Sequence, residues 1–214
     1  SPSYVAPTDW IHQEFKSSLL GKDRESVKIL NPLPSRFFAE VKLEKSKSAQ
    51  LKLLIVAANL DDPTKGVWDA VDVLSELLQQ SSVSLSMVGT ASKKLVSRLP
   101  GAVFMGQMNP KSLIELMNRH DVLLVPSLFE NAGTVVAEAA SQRLPTIARR
   151  VGGMPEMTNH GETGFLFDER ADLKQIVNTV SKRELQIKGR LAKEWAQQLK
   201  PELIAAQYAA AFLK

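Results

Sequence analysis

The chain of 214 residues has no cysteine. That excludes a disulfide framework, a thiolate metal site and a cysteine nucleophile, and it makes the cytoplasm the default compartment. Its three histidines, His12, His120 and His160, are scattered without ligand spacing, so packing or surface roles are expected of them. Asp61-Asp62 is not a D-x-D site, and no other cluster resembles a metal centre. No apolar run approaches the length of a transmembrane helix. There is no G-x-S-x-G, no Walker loop, no strand-borne G-x-G-x-x-G, no internal repeat and no low-complexity segment. No signal peptide is visible, and the opening SPSYVAPTDW reads like the middle of a longer sequence.

What remains is ordinary globular material: 44% hydrophobic and 23% charged residues, enough for one large domain or one and a half. The net charge of +4 and pI near 9.3 suit a phosphate-bearing ligand or an acidic membrane surface, and equally an ordinary basic surface. Trp10, Trp68 and Trp195 are expected in the core or at an interface.

Strand and helix patterns alternate. Tyr4 to Ala6 reads as a short strand. A helix capped by Thr8 or Asp9 is expected through Leu20, with Trp10, Ile11, Phe15 and Leu19 on its apolar side. Ser26 to Leu30 is the next strand, NPLP (residues 31–34) a stiff connector, and the lysine- and serine-rich stretch from Lys42 to Leu51 an exposed linker or loop. Strands follow at Leu53–Ala57, Val83–Val88, Val103–Met105, Val122–Val125, Thr146–Ala148 and Phe165–Phe167, with helical patterns between them. Pro201 starts a last helix, with Ile204, Tyr208 and Phe212 on its inner face. The pattern implies an α/β fold, Rossmann-like, with a mainly parallel sheet and helices on both faces. Ligands in such sheets bind at the carboxyl ends of the strands near the switch point, so the loops after Ala57, Val88, Met105 and Val125 are expected to share one crevice.

The stretch from Val122 to Phe167 carries the chemistry. After an apolar strand and Pro126-Ser127, a short loop leads into an apolar helix from Gly133 to Gln142. Two carboxylates interrupt it, Glu130 in the loop and Glu138 in the helix, with seven residues between them. Asn131 is expected to cap the helix, leaving the amides of Gly133, Thr134 and Val135 to face the loop as an anion site. Lys65, just before a helix start at Gly66, is electrostatically wrong for that helix unless an anion lies between them; alone it reads sooner as a solvated surface lysine, and the amides of the loop from Glu130 to Thr134 on a neighbouring strand end turn the reading toward an anion site. Glu138 in an apolar helix needs partners. A vicinal diol such as a ribose would supply two charge-assisted hydrogen bonds, and a buried pair with Lys65 or Arg143 is the alternative. Glu130 can receive sugar hydroxyls, hold the loop in shape, or sit in water. Gly152-Gly153 followed by Glu156 is a tight loop into a helix start, with a structural use at least as expected as ligand contact.

FENAGTVVAEAASQRLPTIARRVGGMPEMTNHGETGFLF resembles the donor-binding signature of retaining GT-B fold glycosyltransferases, group 1 or family 4. The hallmark E-x7-E is matched by Glu130 and Glu138, followed by P-T-I-A, G-G-M-P-E and G-E-T-G-F-L in order; Thr64–Gly66 resembles the family's basic K-G. Met87–Gly89 and Phe104–Gly106 fall where the family keeps its base-binding loops, giving Gly89 and Met105 as donor-site candidates. The resemblance covers essentially the whole chain. It implies that residues 1–34 are a remnant of an N-terminal domain and hinge, and that residues 35–214 are a nucleotide-sugar-binding domain with a C-terminal cross-over helix. It further implies that Lys65 binds the diphosphate and supports its departure, and that Glu130 binds the transferred sugar. Glu138 would take the ribose, and Asn131, Ala132, Gly133, Thr134 and Val135 would hold sugar and phosphate oxygens. No metal or other cofactor is implied. The implied partners are a nucleotide-sugar donor, a sugar, glycan or lipid-linked acceptor and a missing N-terminal domain, with peripheral contact at the inner membrane face and no nucleic acid. Cell-surface polysaccharide biosynthesis in the cytoplasm is the setting the family suggests.

Three positions depart from the pattern: Asn59 where an arginine is usual, Ala58 where a glycine is common, and Arg143 where glycine usually ends E-A-x-A-x-G. Two rival readings follow, a GT-B epimerase or phosphorylase and a degenerate domain that binds nucleotide or a protein partner without transfer. Asn59 favours the second.

Overall fold

The structure, a computed structural model, describes residues 4–39 and 48–213. The stretch read as a linker therefore lies largely outside the described residues, and Leu51 at its end is buried in a strand. A small N-terminal unit comes first: β1 (Tyr4–Ala6), α1 (Asp9–Ser17) and β2 (Ser26–Lys28), the two strands parallel. Thr8 caps α1, its hydroxyl accepting from Ile11 N at 3.3 Å. The helix stops at Ser17, earlier than the apolar pattern suggested. Leu19 and Leu20 lie in the turn beyond it, 90% and 77% exposed, so Leu19 is not on the packed face of α1.

The main body is β3 (Leu51–Asn59), α2 (Val67–Gln79), β4 (Val83–Thr90), α3 (Lys93–Arg98), β5 (Val103–Phe104), α4 (Pro110–Arg119), β6 (Val122–Val125), α5 (Thr134–Ser141), β7 (Thr146–Arg149), α6 (Met154–Met157), β8 (Gly164–Phe167), α7 (Arg170–Thr179), α8 (Lys182–Ala196) and α9 (Pro201–Phe212). Its strands form one sheet in the order β5-β4-β3-β6-β7-β8, and every strand pair in it is parallel. The order reverses between β3 and β6, so the Rossmann switch point lies there.

The sheet is buried on both faces, as its near-continuous apolar strands require. Side chains alternate across it. Leu53, Ile55, Leu85, Met87, Val122, Leu124 and Ile147 pack with α2, α3 and α7. Leu54, Val88, Leu123, Val125 and Ala148 face the other way, against α4 and α5. Both central strands are thus pinned in register by two cores, Leu53 opposite Leu85 on one side and opposite Val122 on the other. The connector after β2 joins the second core through Leu33 and Phe37, and Leu33 N donates to Leu199 O at 2.9 Å.

Histidine behaves as the sequence suggested. His120 is buried, with Nδ1 2.7 Å from Leu116 O and Nε2 2.9 Å from Ser86 Oγ, and His160 Nδ1 accepts from Leu166 N. The last helix departs from expectation. Ile204 is buried, but Tyr208 and Phe212 are 39% and 36% exposed, so α9 packs along one short stretch.

α8 lies against the turn that links α5 to β7. Arg143 in that turn is left-handed, with φ of 59°. Gly189 makes the approach possible, since a Cβ there would stand 2.2 Å from Arg143 O. Alanine ordinarily beats glycine inside a helix by about 1 kcal/mol. Here the clash with backbone reverses the sign: Gly189→Ala is expected to lower stability by roughly 1–3 kcal/mol in urea unfolding.

Candidate functional site

Two loops cross at the switch point. After β3 the chain turns at Asn59, whose Oδ1 accepts from Asp61 N at 3.0 Å. Asp62 then starts a single 3-10 turn, Pro63–Lys65, by accepting from Thr64 N at 2.8 Å. Gly66 follows in the left-handed region, φ 65°, where a side chain is strained. Its tight quarters add a second requirement, because a Cβ there would lie 1.9 Å from Pro126 O in the loop after β6. The same two loops are bonded through backbone: Leu128 N and Phe129 N donate to Thr64 O at 2.8 and 3.3 Å. Lys65 is held between these contacts.

Its ammonium reaches across the crevice to Glu130, Nζ to Oε2 2.9 Å. The Lys65 and Glu130 side chains are 34% and 19% exposed. The pair is partly buried, where desolvation offsets much of its attraction, so a doubly charged ligand can displace the carboxylate from the ammonium.

α5 opens beside this pair. Asn131 does not cap it, contrary to the sequence expectation: the cap residue is Gly133, φ 44°, with no side-chain hydrogen bond. The Asn131 side chain is turned away instead, its Oδ1 accepting from Thr8 Oγ1 at 3.0 Å. Among the described residues no acceptor takes the amide N–H groups of Gly133, Thr134 or Val135. The helix therefore presents uncapped donors and the positive end of its dipole. Ala132, Thr134 and Ala137 line a recess with the connector Leu30–Leu33, Met157 and Leu199.

Glu138 lies one turn into α5, half-buried. Neither Lys65 nor Arg143 pairs with it, and among the described residues no hydrogen bond or ion pair reaches its carboxylate. Burial pushes its carboxyl up to about 7, with Arg36 pulling the other way.

Gly89 and Met105 border the same edge. Gly89, φ 133°, lies where a Cβ would meet Ala57 O at 1.9 Å, and its N–H donates to Gly106 O at 2.8 Å. Met105 N donates to Met87 O, and its side chain is exposed. The loops after β4 and β5 thus end beside the loop after β3. Asp61 ties two of them together by accepting from Ser92 N, Ser92 Oγ and Trp68 Nε1 at 2.5, 2.7 and 3.1 Å. Among the described residues, no group of three or more His, Cys, Asp or Glu side chains is placed to hold a metal ion.

The sequence did not reveal how the N-terminal unit meets this site. Glu156 accepts from Asp9 N and Trp10 N at 2.7 and 3.0 Å and binds Lys28 Nζ at 2.7 Å, so it caps α1 from a distance of 146 positions. Trp10 stacks edge-on against Phe129, ring centroids 5.7 Å apart. Gly152 and Gly153 seat the site loop, since a Cβ at either would lie about 2.0 Å or less from the carbonyls of Glu130 and Asn131. Their use is structural, and G-G followed by glutamate was the signal available. Arg149 was also missed: it ends β7 with its side chain 13% exposed and bonded to Asp69, Pro126 O and Asp168 O.

A parallel sheet in this order, with helices on both faces, is a Rossmann-like α/β fold and matches that of GT-B glycosyltransferases. Residues 51–183 match the family Glycosyl transferases group 1, and the chain belongs to that family. It is similar to the N-acetyl-alpha-D-glucosaminyl L-malate synthase of Bacillus anthracis, 30% identical over 186 residues, which cover 81% of this chain and 48% of the relative. Among solved structures, the sucrose-phosphate synthase of Thermosynechococcus elongatus superposes with a TM-score of 0.76 at 21% identity, covering 97% of this chain and 57% of that one. HepE of Anabaena, solved with UDP-glucose, superposes with a TM-score of 0.75 at 20% identity, covering 97% and 62%. The chain thus spans about half the length of that Bacillus anthracis relative.

Glu138 supplies a pH test. A carboxyl raised from 4.5 to about 7 in the folded state gives stability that is complete below the lower value and lost as pH rises through the upper one. Glu138→Gln is therefore expected to raise the urea midpoint at pH 8 and leave it nearly unchanged at pH 4. An equal effect at both values would show that Glu138 ionises normally.

Proposed function

We propose that this chain is the donor-binding domain of a nucleotide-sugar-dependent retaining glycosyltransferase that transfers a sugar to a glycan or lipid-linked acceptor. The observation that carries the reading is the placement of Lys65, Glu130 and the uncapped start of α5 together at the switch point. The HepE structure with UDP-glucose supports a nucleotide-sugar donor for a domain of this fold.

In this reading the diphosphate lies over the amides of Gly133, Thr134 and Val135 and takes the Lys65 ammonium from Glu130. Glu130, released, accepts hydrogen bonds from hydroxyls of the sugar to be transferred. Glu138 grips the two ribose hydroxyls, and Gly89 and Met105 border the base. During transfer the bond from the sugar's anomeric carbon to the diphosphate oxygen breaks with its electron pair. The acceptor oxygen bonds to that carbon from the same face and gives up its proton to the departing diphosphate oxygen. Charge growing on the diphosphate meets donors fixed before the reaction begins, which is where such donors are most effective. Lys65 and the α5 amides fill the role a divalent cation would otherwise fill, so no metal is required. The acceptor site belongs to a further N-terminal domain, of which residues 1–34 are the end, and the 214-residue chain alone is expected to bind nucleotide and transfer no sugar. Its setting is cytoplasmic polysaccharide synthesis, with peripheral contact at the inner membrane face.

Asn59 favours a second reading, a domain that binds nucleotide but has lost transfer. The side chain at that position is exposed, uncharged and engaged in its own turn.

Calorimetric titration with UDP, GDP and ADP tests the assignment. Lys65→Met is expected to weaken the tightest of the three by about tenfold or more, the scale of one charge-assisted contact. Glu138→Ala should weaken it also, and Asn59→Arg should strengthen it. Unchanged affinity in Lys65→Met and Glu138→Ala would remove the diphosphate and ribose roles together.

A further inference from the structure

Arg149 stands at the carboxyl end of β7, behind the crossing of the two site loops. Its guanidinium makes four kinds of contact. Nη2 pairs with Asp69 Oδ2 in the first turn of α2. Nη1 donates to Asp168 O, just past β8, at 3.0 Å, and Nε donates to Pro126 O at 3.4 Å. The plane lies over Phe167, 5.0 Å from the ring centroid. One largely covered side chain thus joins the ends of β6, β7 and β8 to the start of the helix that follows Lys65.

Pro126 O is the atom against which Gly66 is packed. Asp69 lies three residues beyond Gly66. Arg149 therefore fixes both neighbours of the Lys65 turn, the carbonyl on which it rests and the helix into which it runs. It also answers a charge problem. Asp69, in the first turn of α2, would leave an uncompensated negative charge at the start of the helix that follows Lys65; Arg149 and, at 3.3 Å, Arg170 neutralise it. With Asn59 supplying no charge, the placement of Lys65 matters more.

We infer that Arg149 is a positioning residue of the diphosphate subsite: it holds the Lys65–Gly66 turn against the loop after β6 and cancels the Asp69 charge, without touching the ligand itself. This rests on the donor-site reading above. A partly buried ion pair adds little net stability, because desolvation offsets its attraction, so the pair's effect is expected on binding geometry rather than on folding.

The test uses the 214-residue chain and two ligands: the tightest binder among UDP, GDP and ADP, and its parent nucleoside, both titrated by NMR. Arg149→Met is expected to weaken the diphosphate by about tenfold and to change nucleoside affinity by less than about twofold, within one hydrogen bond's worth. Arg149→Lys should recover part of the loss. The double variant Arg149→Met with Asp69→Leu removes both charges together, so it keeps the test open should the single variant fold poorly. It is expected to unfold at wild-type denaturant concentrations while still binding the diphosphate weakly. Unchanged diphosphate affinity in the variants, or equal loss for both ligands, overturns the inference while the donor site stands. Absence of diphosphate binding by the wild type overturns the donor site and the inference with it.

Discussion

The contact on which the site depends is the seating of Gly66 on the Pro126 carbonyl. A parallel sheet brings the ends of β3 and β6 side by side, but adjacency alone leaves two independent loops. Removing the side chain at position 66 lets one loop rest on the other's backbone, and the bonds from Leu128 N and Phe129 N to Thr64 O complete the seam. Lys65 cannot then wander with its loop. It faces Glu130 and the open end of α5 because the backbone on each side of it is fixed.

The electrostatics follow from that seam. Lys65 and Glu130 satisfy one another, while among the described residues α5 keeps uncapped amides and the Glu138 carboxyl meets no hydrogen-bond partner. An arrangement with one weak internal pair and two unmet demands accommodates a ligand with an anionic part and a hydroxyl-bearing part. Behind it, charges that would disturb the crevice are paired away: Asp69 with Arg149 and Arg170, and Glu156 with Lys28 and the start of α1.

Much of this was legible in the sequence. Two-sided apolar strands such as Val122–Val125 announce a parallel sheet, and the E-x7-E spacing with a K-G pair singled out Lys65 and Glu130, which the fold brings into contact. The misreadings share one cause. Asn131 has the chemistry of a cap, and Leu19, Tyr208 and Phe212 sit at helical spacing, but each outcome was decided by a distant partner or its absence among the described residues. Thr8 took Asn131, while Leu19 lies beyond the end of α1 and α9 buries only Ile204 among the described residues. Arg149 was invisible for the same reason, since its meaning comes from Asp69, Pro126 and Asp168, which only the fold brings together.

The most direct measurement of the central claim is a crystal structure of the chain soaked with a nucleoside diphosphate. The account predicts phosphate oxygens within hydrogen-bond reach of the Gly133, Thr134 and Val135 amides, Lys65 Nζ moved from Glu130 to the phosphate, and the ribose on Glu138. A nucleotide bound elsewhere, or bound at the crevice with the Lys65–Glu130 pair intact, would contradict it.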